Sequence, residues 1–302
     1  VRKHILVLEA LSTIAGGQRV LLDLLPGLRE AFDVTVAIPG PGPLADALQA
    51  AHVDIAVLPI KPFSLVRKGL RDVVSFMVST PRLILALRTL IAQRGIDLVY
   101  ANSTPTFPWG TLGAFAAHKP MIWHSHNNLL DAKSLLLTRN LARLSSVRRI
   151  IGASSSAVVQ YHQPAKSTVV RSGVDLATFA PSVEARSRFR AQHGIPAQAP
   201  LLGILGDFIP LKRQQVFLHS ARLIHEQFPA ARFLLVGAER PNPESRAYRR
   251  SLDPLVRQVN AQVISWVDDL NTLLNALDIL VIASASETGP LVLFQALACG
   301  VP

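Results

Sequence analysis

Cysteine, aromatic residues and charge are all scarce in this sequence. Cys299 is the single cysteine among 302 residues, which excludes an internal disulfide and a cysteine-built metal cluster. Aromatics make up only 6%. A surface for nucleic acid interleaves basic side chains with stacking aromatics. Nucleic acid is therefore not an expected partner, even at a net charge of +11. Charged residues reach 17% against 49% hydrophobic, too few for a disordered chain. No apolar run approaches the roughly 18–20 residues that cross a bilayer. The basic start Val1-Arg2-Lys3-His4 passes straight into a short apolar strand, without the longer stretch of a signal peptide. The expectation is a cytoplasmic protein of two domains. Its excess of Lys and Arg suits phosphates or anionic lipid.

What is present is alternation. Short apolar strands at 5–8, 34–38, 55–58, 98–100, 121–123, 149–152 and 168–170 are separated by helical patterns. Leu21, Leu24, Leu25 and Leu28 share one helix face, and Pro26-Gly27 is expected to kink or end that helix. The segment 181–200, with Gly194, Pro196 and Pro200, reads as a linker holding a short helix. The alternation then restarts with strands at 201–205, 233–236, 263–265 and 279–282. This predicts an α/β protein with two Rossmann-like, doubly wound parallel-sheet domains, at 1–180 and 201–302. Gly300 reads as a helix C-cap, and the second domain, with four strands, is expected to be incomplete.

Four segments carry candidate chemistry, each just after a strand, where such sheets bind ligands. Gly16 and Gly17 precede a helix whose N-terminus can face a phosphate, although the spacing is not that of a dinucleotide fingerprint and a plain tight turn reads equally well. His124 and His126 follow the strand at 121–123, where an imidazole can accept a hydrogen bond or shuttle a proton. No third ligand lies near them in sequence, so no metal site is expected. Lys212 and Arg213 close the loop that begins at Gly206 and can grip a diphosphate. In the segment from Ser284 to Gly300, Pro290 suits a first helical turn, which would leave the N–H groups of Leu291, Val292 and Leu293 for a phosphate. Glu287 stands at the mouth of that turn, ready to accept from sugar hydroxyls, and Gln295 lies eight residues on.

Together these segments resemble glycosyltransferase family 4, the retaining enzymes of the GT-B fold. Val169-Val170-Arg171-Ser172-Gly173-Val174-Asp175 with Phe179 is similar to the family's inter-domain segment. The strand end Ile150-Ile151-Gly152-Ala153-Ser154 and the pairing of Phe228-Pro229 with 233–237 fit as well. The resemblance implies a nucleotide-diphosphate sugar as donor substrate, no other cofactor and usually no metal. It implies that Lys212, helped by Arg213, binds the diphosphate, and that Glu287 contacts the donor sugar. Gly289, Pro290, Leu291 and Val292 would cradle phosphate through their backbone, and Gln295 would reach a ribose hydroxyl. Gly16 and Gly17 would close over the diphosphate, with His126, or its neighbour His124, near the sugar.

Three residues depart from the pattern. Asp207 stands where the family usually has Arg, Gln295 where it has Glu, and Ser172 where it has Asn. An acid at 207 would repel a diphosphate if it pointed inward, with Arg213 the candidate to compensate. The alternatives are a non-catalytic or inactive sugar-nucleotide-binding remnant, or another GT-B enzyme such as a sugar-nucleotide epimerase. The acceptor implied is a glycan or a lipid-linked sugar. The stretch 61–94 is basic and amphipathic, with Lys61, Arg67, Lys68, Arg71, Arg82, Arg88 and Arg94 among apolar residues. It reads as a surface helix pair with its cations in water, or as a peripheral contact with an anionic membrane at its inner face.

Overall fold

A computed structural model describes residues 2–60, 70–240, 242–265, 267 and 269–302, with side chains described outside 70–77. The chain divides into two compact units, Val1–Ser172 and Gly173–Pro302.

Among its described residues the first unit has seven strands: β1 (Lys3–Leu8), β2 (Phe32–Ile38), β3 (Asp54–Val57), β4 (Leu98–Ala101), β5 (Met121–Ser125), β6 (Val147–Gly152) and β7 (Ser167–Val169). Between them run α1 (Gly16–Ala31), α2 (Pro43–Ala50), α3 (Leu70–Arg94), α4 (Phe107–Ala116), α5 (Ala132–Ala142) and α6 (Ser155–Val159). All pairings are parallel, in the order β3-β2-β1-β4-β5-β6-β7. The order reverses between β1 and β4, so a crevice forms outside their carboxyl ends.

Alternation along β1 shows why the sheet is covered on both faces. Ile5 and Val7 bury against Leu21, Leu25, Leu44 and Leu48 of α1 and α2. Leu6 and Leu8 bury on the other face with Leu83, Leu87 and Ile91 of α3 and with Phe107 and Trp109. Trp123 of β5 stacks on Phe107 at 4.4 Å and donates to Thr111 Oγ1 at 3.0 Å, which fixes the strand that ends in the histidines.

The second unit comprises α7 (Val183–Gln192), β8 (Leu201–Leu205), α8 (Gln214–Gln227), β9 (Arg232–Val236), α9 (Pro243–Ser251), α10 (Asp253–Gln258), β10 (Gln262–Ile264), α11 (Leu270–Ala276), β11 (Ile279–Leu280) and α12 (Leu291–Ala298). Its sheet is parallel, in the order β10-β9-β8-β11, with the reversal between β8 and β11. Leu202 and Ile204 pack towards Phe217, Leu218 and Ala221 of α8. Leu201 and Leu205 face Phe189, Leu273 and Ala296. Gly300, at φ +75°, ends α12 as expected, with Val301 N–H bonded to Ala296 O.

The structure sharpens three expectations. The division falls after Ser172 rather than after 180. The short helix expected within 181–200 is α7, and it is part of the second unit's core: α7 packs on α11, Phe189 lies in the core, and buried Arg190 bonds the carbonyls of Ala276, Pro196 and Ala199 and the carboxylate of Asp278. Helix α1 does not end at Pro26 but runs on to Ala31, with Pro26 on its exposed face and Leu21 and Leu25 anchoring the buried one.

Candidate functional site

In the first unit the polar residues gather at the switch point. Leu8 pairs with Ala101, so Glu9 and Asn102 emerge side by side from β1 and β4. Glu9 is fully buried. Its Oε2 accepts from Gln18 Nε2 at 2.8 Å and its Oε1 from Asn102 Nδ2 at 2.5 Å. Gln18 also accepts from Ala15 N–H at 3.1 Å, which satisfies a donor at the start of α1. Asn102 donates further to Gly17 O at 3.0 Å and meets His126 Nε2 through its Oδ1 at 3.1 Å. Burial raises the Glu9 carboxyl to about 7, against the lowering effect of the Gln18 and Asn102 bonds.

His126 and His124 lie with their rings 3.9 Å apart. Burial lowers His126 to about 4, and burial with His126 as neighbour lowers His124 to about 3. Both are neutral at physiological pH. His124 bonds Tyr100 OH at 2.6 Å through Nδ1, which turns it into the core. His126 is the half-buried one. A methyl at Gly17 would stand 3.1 Å from its Cδ2, so glycine there lets the imidazole lie against the start of α1. The structure thus brings Gly17 and His126 together, while a methyl at Gly16 would meet open space. The sequence reading missed Glu9, Gln18 and Asn102; Glu9 and Asn102 had one signal, a position just past a strand end, and Gln18, in the first turn of α1, had none.

In the second unit, the loop after β8 and the segment after β11 meet at that sheet's switch point. Ala285 N–H donates to Leu211 O at 2.9 Å. Lys212 Nζ donates to Glu287 Oε1 at 2.6 Å, each side chain about a quarter exposed. Lys212, Glu287, Pro290 and Val292 line one depression with Leu205 and Ser284. The Lys212 stem crosses Gly206, where a methyl would lie 3.2 Å from its Cε. Gly289, at φ +121°, makes the turn into α12 that a side chain would strain.

Other predicted residues behave differently. Pro290 is the N-cap of α12, which starts at Leu291. Leu293 N–H bonds Pro290 O at 3.0 Å, so it is not available to a phosphate as expected. Gln295 is buried in α12. Arg213 is exposed and sits at the N-cap of α8 with φ +52°. It does not compensate Asp207. Arg240 does, its Nε 2.8 Å from Asp207 Oδ2.

Comparison with known proteins decides the family. A profile described as "Glycosyltransferase Family 4" matches residues 14–178, more than half the chain, and one described as "Glycosyl transferases group 1" matches 199–302. The chain belongs to glycosyltransferase family 4.

Among family relatives, the D-inositol 3-phosphate glycosyltransferase of Kineococcus radiotolerans is 28% identical over 70% of this chain. The chain spans about half of that protein, 54%. The UDP-Gal:alpha-D-GlcNAc-diphosphoundecaprenol alpha-1,3-galactosyltransferase of Escherichia coli is 25% identical over 97% of this chain and 76% of its own length. Among solved structures, Anabaena HepE in complex with UDP and glucose matches with TM-score 0.81 at 21% identity, covering 99% of this chain and 79% of that one. WaaG, a glycosyltransferase involved in lipopolysaccharide biosynthesis, matches at 0.71 with 15% identity, covering 99% and 80%. The two Rossmann-like sheets are thus those of a GT-B glycosyltransferase fold.

Among the described residues, no group of three or more His, Cys, Asp or Glu is placed to hold a metal. No described helix is long and apolar enough to cross a membrane. Of the basic stretch 61–94, residues 61–69 and the side chains of 70–77 lie outside the description. Beyond them, Leu83, Leu87 and Ile91 face the core while Arg82 and Arg88 face water and Arg94, also exposed, pairs with Asp54.

Proposed function

We propose that this chain transfers a sugar, with retention of configuration, from a nucleotide-diphosphate sugar to a glycan or lipid-linked acceptor. The bond from the anomeric carbon to the diphosphate oxygen breaks, and the diphosphate leaves with the electron pair. A bond from an acceptor hydroxyl oxygen to that carbon forms, and the hydroxyl proton is released. The observation that carries the reading is the meeting of Lys212 with Glu287 at the switch point of the second sheet. A cation beside a carboxylate offers one group to a diphosphate and the other to sugar hydroxyls.

In this reading Lys212 takes the diphosphate, and the backbone of Gly289, Pro290, Leu291 and Val292 meets phosphate at the start of α12. Arg213 supports the same charge. Its left-handed backbone and its place at the positive end of α8 are locally unfavourable, and an anion nearby relieves the second of these. These groups supply the positive charge that the departing diphosphate requires, so no metal is invoked. Gln295 is assigned to the ribose, and within the first unit Gly16, Gly17 and His126 are assigned to ligand binding. The pairing of Asp207 with Arg240 weakens the case for an inactive remnant, since the acid carries its own counter-ion. The lipid-linked class of acceptor draws on the diphosphoundecaprenol in the E. coli relative's name, and the exposed arginines of α3 suit the cytoplasmic face of an anionic membrane.

Thermal unfolding with UDP, GDP and ADP and their sugar conjugates tests the reading. A ligand at 100 times its Kd adds about 2.7 kcal/mol to apparent stability. At least one nucleotide is expected to stabilise the chain. Lys212→Ala should weaken that nucleotide on the order of 10–100-fold, the scale of one charge-assisted hydrogen bond. Silence across all three nucleotides removes the donor site.

A further inference from the structure

The buried network around Glu9 has a direction. Both of its oxygens are occupied by amide donors, Gln18 Nε2 on one and Asn102 Nδ2 on the other. Neither amide is free to turn round. Gln18 must keep its oxygen on Ala15 N–H, and Asn102 must keep its nitrogen on Gly17 O as well as on Glu9. With its nitrogen committed to two acceptors, Asn102 presents its oxygen to His126 Nε2. That nitrogen must therefore be the one carrying hydrogen.

We propose that Glu9 is a positioning residue that, through Asn102, holds His126 as the tautomer protonated on Nε2, with Nδ1 as its acceptor nitrogen. The consequence for catalysis rests on the sugar-transfer reading. A neutral imidazole offers opposite hydrogen-bonding roles on its two nitrogens, and the tautomer decides which role faces a substrate hydroxyl. Only a carboxylate satisfies position 9. A glutamine there would aim a donor at Asn102 or at Gln18. The first would reverse Asn102 and hand His126 a donor instead of an acceptor. The second would strip the acceptor from the start of α1.

Nitrogen-15 NMR of histidine-labelled protein tests this without any ligand, at a pH above the Glu9 ionisation near 7. The His126 signals are assigned by their loss in His126→Gln. In the unmodified chain Nε2 should be pyrrole-like and Nδ1 pyridine-like. Glu9→Gln, an isosteric change, should shift His126 towards the other tautomer, and Asn102→Leu should shift it likewise. The double variant should add nothing to Asn102→Leu, because the relay passes through that amide. An Nδ1-protonated ring in the unmodified chain overturns the proposal, as does a ring indifferent to Glu9→Gln or an additive double variant.

Turnover separates this from the underlying reading. Glu9→Gln should lower kcat about ten-fold, with KM for the nucleotide sugar unchanged. If the tautomer moves and no nucleotide sugar is ever turned over, the positioning relay stands and sugar transfer falls.

Discussion

The two units place polar side chains at equivalent points, outside the carboxyl ends of parallel strands where the order reverses, yet they hold them in opposite ways. The first unit gathers Glu9, Gln18, Asn102 and His126 into one hydrogen-bonded set, with His124, itself bonded to Tyr100, lying ring against ring on His126. The second exposes paired charges, Lys212 with Glu287 and Asp207 with Arg240, each a quarter to a third in water. A buried network fixes orientation, because each group has one satisfying arrangement. A half-exposed ion pair is weakly held and can be exchanged for a ligand. One cluster is built to aim a group, the other to trade partners.

Acid should break the two units in different windows, and this is the largest effect expected. His124 and His126 take a proton near pH 6.5 when unfolded, but only near 3 and 4 when folded. Between those limits the unfolded chain binds more protons, so stability falls as the pH falls. The rings contribute on the order of 3–5 kcal/mol each. The second unit's counterpart is Asp278. Burial opposes its ionisation, but Leu201 N–H and Arg186 hold it below the usual 3.8, so its contribution is lost only at still lower pH. Amide exchange followed from pH 7 downwards should show β1, β4 and β5 losing protection first. Protection lost first in β8 and β9 would contradict the contrast.

Glu9 works against that slope. Its carboxyl ionises near 4.5 unfolded and near 7 folded, so in this window the folded chain binds more protons and stability falls as pH rises. The contribution is about 3 kcal/mol, fully felt above pH 7. Glu9→Gln removes it. Denaturant unfolding across pH 4.5–7 should therefore be steeper in the variant than in the parent. An unchanged slope would mean that Glu9 is not desolvated.

How much of this was legible follows from the same physics. The strands among the described residues fall where short apolar runs lie between helical patterns, because the central strands, such as β1 and β8, are covered on both faces and so are apolar through most of their length. Lys212, Glu287 and His126 were visible because reactive residue types stood just past those strands. Glu9 and Asn102 stood there too, but a glutamate and an asparagine after a strand read as ordinary surface. Only the register of β1 against β4 joins them. Arg240 was invisible for the same reason, since 33 residues separate it from Asp207. Pro26 does not end α1, since Leu21 and Leu25 on the opposite side tie the helix to the sheet, a contact the local sequence does not display.

The smallest effect sharpens the contrast most directly. Lys212 and Glu287 touch at 2.6 Å, close enough that a rigid buried pair would be strongly coupled. If the pair is instead held ready for exchange, its coupling should be that of a surface pair, below about 1 kcal/mol, because water competes for both ends. A double-mutant cycle of Lys212→Ala and Glu287→Ala, read by denaturant unfolding without nucleotide, measures it. The coupling should shrink further as salt screens the charges. With a saturating nucleoside diphosphate the cycle should change, since Lys212 then serves the ligand as well. A salt-insensitive coupling well above that figure would make this pair a structural strut like the first unit's network, and the division between a site that aims and a site that trades would fail.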